Sequence, residues 1–416
     1  MPPPPADLRS RLAGAGMVAV SITAMNVATY GFTLAAARLL DPALFGELTA
    51  MMGIVLVGNV AALGLQATTA RRIATRRTEE ERATVIDAAR RATWIAAAAV
   101  AAVTLALSPL LQAALDLTSW SMLLVALTLV PLTVFGTQAG VAQGSRRWSR
   151  LSVLYAAMGA GRLVCGTAAA AIDATPSVVM AGVFVGAAVP VAVGWRLLRT
   201  SPPAPVSPRA AASESARPAG SRSVLVETLH GSHALLAYFA LTNADALLAR
   251  VVLSPHDSGI YAAGLIVTKA CLFLPQFVTV VAFPDLAQAR GTRTRRIAAG
   301  LIAALGGAVV AGTWLLPGLA LAFVGGDEYA EVQDLLPLFA LEGSVFALLQ
   351  LLLYDALARR IRVITVALWS ALAVAVAVVL TSVDTVAMLP VVMTSAAAGV
   401  ACLSVVPIRP RLSQRQ

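Results

Sequence analysis

The chain has 416 residues, of which 58% are hydrophobic and 12% charged, and its mean hydropathy is +0.81. Soluble globular domains have about a quarter of their residues charged, so this composition excludes them and predicts a polytopic membrane protein. The net charge of +10 does not indicate a nucleic-acid partner, because the basic residues lie between apolar stretches and form no folded basic domain.

Long apolar stretches follow one another along almost the whole chain. A helix that crosses a membrane needs about 20 predominantly apolar residues. The first stretch is too long for a cleaved signal peptide and is expected to stay in the membrane. Twelve stretches are predicted as transmembrane helices, which makes the expected fold class an all-α membrane protein: residues 16–40, 44–70, 92–115, 119–143, 151–172, 176–198, 225–252, 258–289, 297–323, 334–357, 363–382 and 386–407.

One polar segment, residues 199–224, divides the chain into two halves. It is rich in Pro, Ser and Arg and has no apolar run, so it cannot bury enough apolar surface to fold by itself. We predict that it is a linker. It would join a lobe of six helices, residues 1–198, to a second lobe of six, residues 225–416.

The predicted connections between spans alternate in charge. Those on one side carry nearly all of the 31 Lys and Arg residues, whereas those on the other side carry no Lys or Arg and several Asp and Glu. Basic connections of membrane proteins face the cytoplasm. The pattern therefore predicts that both termini and the linker are cytoplasmic.

No pattern typical of an enzyme appears in the sequence. The acidic connections are short, and there is no nucleophile elbow, P-loop or cluster of metal ligands. Cys165, Cys271 and Cys402 lie inside apolar stretches, without the spacing of paired ligands. We therefore expect no enzymatic activity, no catalytic residue, no metal and no cofactor.

The two halves share landmarks at one offset along the chain. Sliding one half over the other places Gly46 on Gly259 and, far downstream, Arg146 on Arg359. At nearly the same offset Arg38 falls on Arg250. Six helices per half give both copies the same orientation, so the pattern predicts a parallel repeat with a central cavity between the halves.

Two of these regions also resemble a known family. The run Ala36-Ala-Arg-Leu-Leu-Asp-Pro-Ala-Leu-Phe-Gly-Glu-Leu, followed by a helix and a basic loop, is similar to the start of polysaccharide flippases of the Wzx kind. These belong to the multidrug/oligosaccharidyl-lipid/polysaccharide (MOP) exporter superfamily. Asp245-Ala-Leu-Leu-Ala-Arg through Gly259-Ile-Tyr-Ala-Ala to Lys269 resembles that family's seventh and eighth helices. The resemblance covers most of the chain in helix count and loop pattern.

The resemblance implies a transporter of two six-helix lobes. It would move an undecaprenyl-pyrophosphate-linked oligosaccharide or polysaccharide precursor across the bacterial cytoplasmic membrane by alternating access. Its implied role is in polysaccharide or lipopolysaccharide biosynthesis for the cell envelope. The implied partners are the lipid-linked glycan and the bilayer, with membrane proteins of glycan assembly as further partners. The family's cavity is lined chiefly by the first, second, seventh and eighth helices.

Four basic residues lie inside the predicted spans, where a charge is costly and indicates a functional site: Lys269, Arg38, Arg250 and Arg162. Lys269, the only lysine of the chain, lies deep in its span and is predicted to contact substrate or to pair with Asp245. Arg38 and Arg250 lie near the ends of their helices. Anchoring at the membrane interface is the alternative to substrate binding for both.

The intramembrane acids leave further alternatives open. Asp245 is predicted to be a counter-ion of a neighbouring basic residue or a carboxylate that couples transport to a cation. Arg162 lies mid-helix, so it must face protein or water. It either contacts substrate or pairs with Glu47, Asp245 or Glu342.

Three polar residues in the first two spans, Asn26, Asn59 and Gln66, are candidates for hydrogen bonds to sugar hydroxyls. Bonds between helices are the alternative. Pro275 is the hinge candidate, because it removes a backbone donor from the helix of Lys269. A bend there would re-aim the lysine side chain.

Three functions compete at this point. The predicted cavity helices carry Arg38, Arg250 and Lys269 against Asp245 and Glu47, and this balance favours an anionic ligand such as pyrophosphate. A multidrug or cation antiporter of the same superfamily would instead favour an excess of acids. A non-transporting membrane scaffold for glycan assembly would pair all its intramembrane charges and contain no hydrated cavity.

Overall fold

The computed structural model describes residues 6–76, 78–199, 220–273, 291–358 and 363–405, and it is almost entirely helical in these ranges. The first half contains α1 (Ala6–Leu39), α2 (Pro42–Gly58), α3 (Val60–Thr75), α4 (Glu79–Leu115), α5 (Ser119–Gly144), α6 (Trp148–Ile172) and α7 (Pro176–Arg199). The second half contains α8 (Ser221–Val252), α9 (Pro255–Phe273), α10 (Gly291–Leu315), α11 (Pro317–Val324), a 3-10 helix (Asp327–Leu335), α12 (Leu336–Ala358), α13 (Val363–Ser382) and α14 (Met388–Val405). Most of the predicted linker, together with Pro275 and Arg359, lies outside the described residues.

Ten helices of the described ranges are long and apolar enough to cross a membrane. Each of the twelve predicted spans has a helical counterpart in the structure. The two that are not among the ten are α9, whose predicted span continues beyond the described residues, and α14, which is apolar but shorter. The predicted all-α polytopic fold class is confirmed.

Helix boundaries differ from the prediction in several places; α1, for example, begins at Ala6 instead of residue 16. The second span is divided at Asn59 into α2 and α3. The ninth is divided before Pro317, where proline starts a new helix because it cannot donate within the preceding one. α4 begins at Glu79, well before residue 92, because Thr78 and Glu81 form a capping box at its start. A search for apolar stretches does not detect this polar first turn of the helix.

Most helices pack mainly within their own half, but α2 and α8 pack more on helices of the opposite half than on those of their own, and α3 and α4 also contact α8. This is consistent with two lobes. We call the end that carries the connections with Asp41, Asp116 and Asp257 the acidic end, and the opposite end, with Arg71 and Arg147, the basic end.

The two glycines matched by the repeat lie against each other at the acidic end. A Cβ added to Gly46 would come within 2.8 Å of the backbone nitrogen of Gly259. A Cβ added to Gly259 would collide with the carbonyl oxygen of Pro42. The backbones of α2 and α9 therefore approach so closely that a side chain at either position would separate the halves.

Candidate functional site

A cavity of about 130 Å³ lies between the two halves. Residues of α1, α2 and α6 line one side of it, and residues of α8 and α9 line the other. Most of its wall is apolar. Among the described residues of its lining, the charged ones are Lys269 and Arg162, with the polar Asn243 as a further member. The cavity thus exposes positive charge in otherwise apolar surroundings.

Lys269 is held by the helix next to its own. Its ammonium donates to the carbonyl oxygen of Thr242 at 2.6 Å and to Oδ1 of Asn243 at 3.1 Å, both on α8. It forms no ion pair with Asp245, although the two charges interact electrostatically. The lysine side chain is long enough for its ammonium group to bond these neutral oxygen atoms and still line the cavity. Lys269 is therefore oriented without being neutralised by a direct carboxylate contact.

Arg162 projects from the middle of α6 into the same cavity. It makes no hydrogen bond or ion pair with any residue that the structure describes, including the three acids Glu47, Asp245 and Glu342. An unpaired guanidinium is costly within the apolar depth of a membrane protein. Of the two roles predicted for Arg162, its place in the cavity lining is compatible with substrate contact, which stays a prediction.

Asp245 and Glu342 lie together behind the cavity wall. Both are fully buried, their charges interact with each other, and neither lines the cavity. Oδ1 of Asp245 accepts from the backbone N–H of Ala246 at 2.7 Å, and Oε2 of Glu342 accepts from the hydroxyl of Thr268 at 3.3 Å. The second oxygen of each carboxylate has no hydrogen-bond partner among the described residues. This pair can therefore accept a proton or a cation.

Arg38 and Arg250 lie at the acidic end instead of in the cavity lining. Nη2 of Arg38 donates to the carbonyl oxygen of Ala322 at 2.8 Å, near the end of α11. Nε of Arg250 donates to the carbonyl oxygen of Leu115 at 3.1 Å, at the end of α4. Each arginine thus crosses to the opposite half and caps the third span there, where the helix dipole favours a cation.

The three polar candidates of the first half lie outside the cavity lining as well. Gln66 donates to Oε1 of Gln143 at 3.1 Å and to the hydroxyl of Tyr155 at 2.8 Å. These bonds join α3 to α5 and α6. Asn59 lies at the break between α2 and α3, and Asn26 is half-buried on α1.

Two features of the site were not predicted from the sequence. Asn243 was not recognised as a ligand of Lys269, although a polar residue inside an apolar span is a visible signal. The electrostatic interaction between Asp245 and Glu342 has no such signal, because the two residues are far apart in the chain and on different helices. In the described ranges no group of His, Cys, Asp and Glu side chains is suited to hold a metal ion.

The arrangement of helices is similar to that of known transporters. An inward-facing multidrug-resistance MATE transporter of the MOP superfamily superposes with a TM-score of 0.67, at 12% identity over 93% of this chain and 96% of that one. The lipid II flippase MurJ in an inward closed conformation gives 0.68, at 9% identity over 93% and 86%. A MOP superfamily transporter from Pyrococcus furiosus, described as having a binding pocket of reverse polarity, gives 0.60 at 10% identity over 94% and 93%. No protein-family model and no curated protein matches the sequence.

Proposed function

We propose, from the MOP-superfamily transporter fold of this chain, that the protein moves an undecaprenyl-pyrophosphate-linked glycan precursor across the bacterial cytoplasmic membrane. The observation that carries the proposal is the pair of cations, Lys269 and Arg162, in one cavity between the halves. A pyrophosphate is the anionic part of such a substrate. Lys269 would supply a compact charge that releases its ligand readily, and Arg162 a planar fork that binds two phosphate oxygens.

The small volume of the central cavity supports a mechanism of alternating access. A cavity of about 130 Å³ is smaller than the roughly 300–1,000 Å³ of typical ligand pockets. A glycan would therefore enter only when the halves part. The close contact of Gly46 with Gly259 closes the acidic end, which the charge pattern of the connections assigns to the outside of the cell. Loading from the cytoplasmic side would precede separation of these two helices.

Antiport of cationic compounds is the second candidate. Asp245 and Glu342 each have an oxygen without a hydrogen-bond partner among the described residues. This favours antiport, because buried acids can exchange a proton for a cationic substrate. The basic charges of the cavity disfavour it. A membrane scaffold without transport activity fits less well. Such a protein would pair its intramembrane charges, whereas Arg162 lies beside a cavity and has no partner among the described residues.

The proposal is tested in proteoliposomes that contain a fluorescent undecaprenyl-pyrophosphate-linked glycan. Transfer between leaflets is measured by quenching from the outside. We expect Lys269→Ala and Arg162→Ala to insert normally and to reduce the transfer rate at least tenfold, whereas Lys269→Arg retains part of it. Arg91→Ala, an exposed arginine that lines neither cavity, is the matched control.

Three results would contradict the proposal. Full transfer by Lys269→Ala at normal abundance would remove the lysine from the mechanism. Low abundance of Lys269→Ala, restored together with transport by adding Asp245→Asn, would show that the lysine only balances a buried carboxylate. Uptake of a cationic dye without glycan transfer would favour the antiporter.

A further inference from the structure

A second cavity, of about 510 Å³, lies inside the first half at the basic end. α4 and α7 both pack extensively on α5 but hardly on each other. This leaves a fissure between α4 and α7, with α5 as its floor. The described residues that line the fissure are all different from those that line the central cavity, so the two sites are separate in this part of the chain.

The side chains of α4 that line the fissure are basic near the start of the helix and aromatic further along it. Arg82, Ile86, Arg90 and Trp94 follow one another at intervals of four residues, so each side chain lies next to the following one along a stripe of the helix surface. Trp195 of α7 lines the opposite wall. The two tryptophans are 55% and 49% exposed, and tryptophan is enriched where a protein meets the interface of a bilayer. The fissure thus opens sideways at the level of lipid headgroups.

Basic residues outnumber acidic ones in the fissure. Arg82, Arg90 and Arg147 line it, with Glu79 as the acid among its described lining residues. Glu79 is already bonded to Arg82 at 2.8 Å. Asp87, outside the lining, lies 3.7 Å from Arg90, but both side chains are mostly exposed and such a pair is weak. The carboxylates therefore leave positive charge uncompensated.

Arg147 is the least compensated of these cations. Its side chain forms no ion pair with a described residue. Burial, and after it the charge of Arg150, lowers the pKa of Arg147 from its usual value, and Glu79 opposes the shift. The preceding residue, Arg146, has a φ of +55°, and this left-handed turn ends α5 and directs the chain into α6. Arg147 is thus fixed beside the fissure as a half-buried cation.

We propose that this fissure binds the phosphate headgroup of an anionic membrane lipid, such as phosphatidylglycerol. Arg90 and Arg147 would contact the phosphate oxygens, for which the planar guanidinium group is well shaped. The acyl chains would leave the fissure between Trp94 and Trp195 along its aliphatic wall. A soluble phosphate would use the arginines alone and leave that apolar wall exposed to water, so a lipid is the better occupant.

The test measures lipid retention by native mass spectrometry on the delipidated full-length protein. Phosphatidylglycerol and the zwitterionic phosphatidylcholine are titrated separately. We expect phosphatidylglycerol to bind preferentially and the variant Arg90→Gln/Arg147→Gln, which lacks both proposed phosphate ligands, to bind it at least about tenfold more weakly. Arg91→Gln is the control, because Arg91 points about 100° away from Arg90 around α4 and lies outside the lining.

A charge-preserving variant, Arg90→Lys/Arg147→Lys, keeps the test usable if the glutamine variant does not fold, and it should bind with intermediate affinity. Equal binding of both lipids by the wild type would overturn the proposal. So would unchanged binding by either double variant, or displacement of the lipid by glycerol phosphate at a similar concentration, which would indicate a site for a soluble phosphate.

Discussion

The four basic residues in the apolar spans form two pairs with different surroundings. At the acidic end, Arg38 and Arg250 bond backbone carbonyl oxygens of the opposite half. In the central cavity, Lys269 bonds oxygens of its neighbouring helix, and Arg162 bonds none of the described residues. The first pair therefore joins the halves, whereas the second pair presents charge to the space between them. A costly intramembrane charge can thus either stabilise a conformation or bind a ligand, and its contacts distinguish the two roles.

The largest effect is expected where the halves touch most closely. Gly259→Leu should abolish glycan transfer, because its side chain cannot fit against the carbonyl of Pro42 and the acidic end would stay open. The measurement is modification of a cysteine at position 49, a residue of the cavity wall, from the acidic side in a background without native cysteines. Gly399→Leu, where a Cβ meets nothing within 4 Å, is the control. Unchanged labelling in Gly259→Leu would mean that this contact does not seal the cavity.

Removing the two arginine bridges should have a smaller effect in the same direction. Arg38→Gln removes one charged hydrogen bond. Arg250→Gln removes the bond to Leu115 together with two longer ones, to Ala43 and Ser258. Partial exposure limits each loss to about 1 kcal/mol, or roughly fivefold in the equilibrium between closed and open states. Labelling of the cysteine at position 49 should rise accordingly and rise further in the double variant. If either single variant abolished glycan binding without a change in labelling, that arginine would belong to the substrate site.

Gln66→Leu tests a bond within one half, and it should lower stability without opening the contact between the halves. It removes two hydrogen bonds among α3, α5 and α6, so we expect a loss of about 1–2 kcal/mol in stability. A lower melting temperature in detergent would report it. Labelling at position 49 and affinity for the glycan should stay unchanged. A selective loss of glycan affinity at normal stability would instead place Gln66 in contact with sugar.

Cutting the chain between Ser207 and Ser215 should have the smallest effect. The halves keep their own contacts, among them the bond of 2.6 Å between Arg72 and Glu227 at the basic end and the packing of α2 on α9. Two co-expressed fragments should therefore copurify and transport at nearly the wild-type rate. Stable insertion of both fragments with no activity would give the segment a role beyond tethering.

Much of the fold could be predicted because the bilayer requires each spanning segment to be apolar, and this requirement is visible in the sequence. A span has to be long and apolar, so the positions of the helices follow from the sequence, and the repeat landmarks Gly46 and Gly259 indicated where the halves correspond. The depth of Lys269 and Arg162 also follows from their distance to the helix ends. These properties depend on position along one helix only.

The direction in which a side chain points could not be predicted in the same way. A helix that is apolar on all faces has no amphipathic pattern to indicate which face meets the other half. The sequence places Arg38 and Arg250 near the ends of their helices but leaves substrate binding and anchoring as alternatives. In the structure both bond carbonyl oxygens of the opposite half, outside the cavity lining. The pairing of Asp245 with Glu342 depends on the packing of α8 with α12, which no local pattern encodes.

The contact between Gly46 and Gly259 gives the two halves the geometry of a homodimer held in one chain. In an isologous interface the same patch faces itself across a twofold axis, so a substitution at one position alters the packing of the equivalent position in the other copy. A bulky residue at position 259 should therefore be relieved by mutations close to position 46, and vice versa. Selection for restored growth would recover such suppressors in matched pairs, and the pairs would trace the axis of pseudosymmetry through the protein.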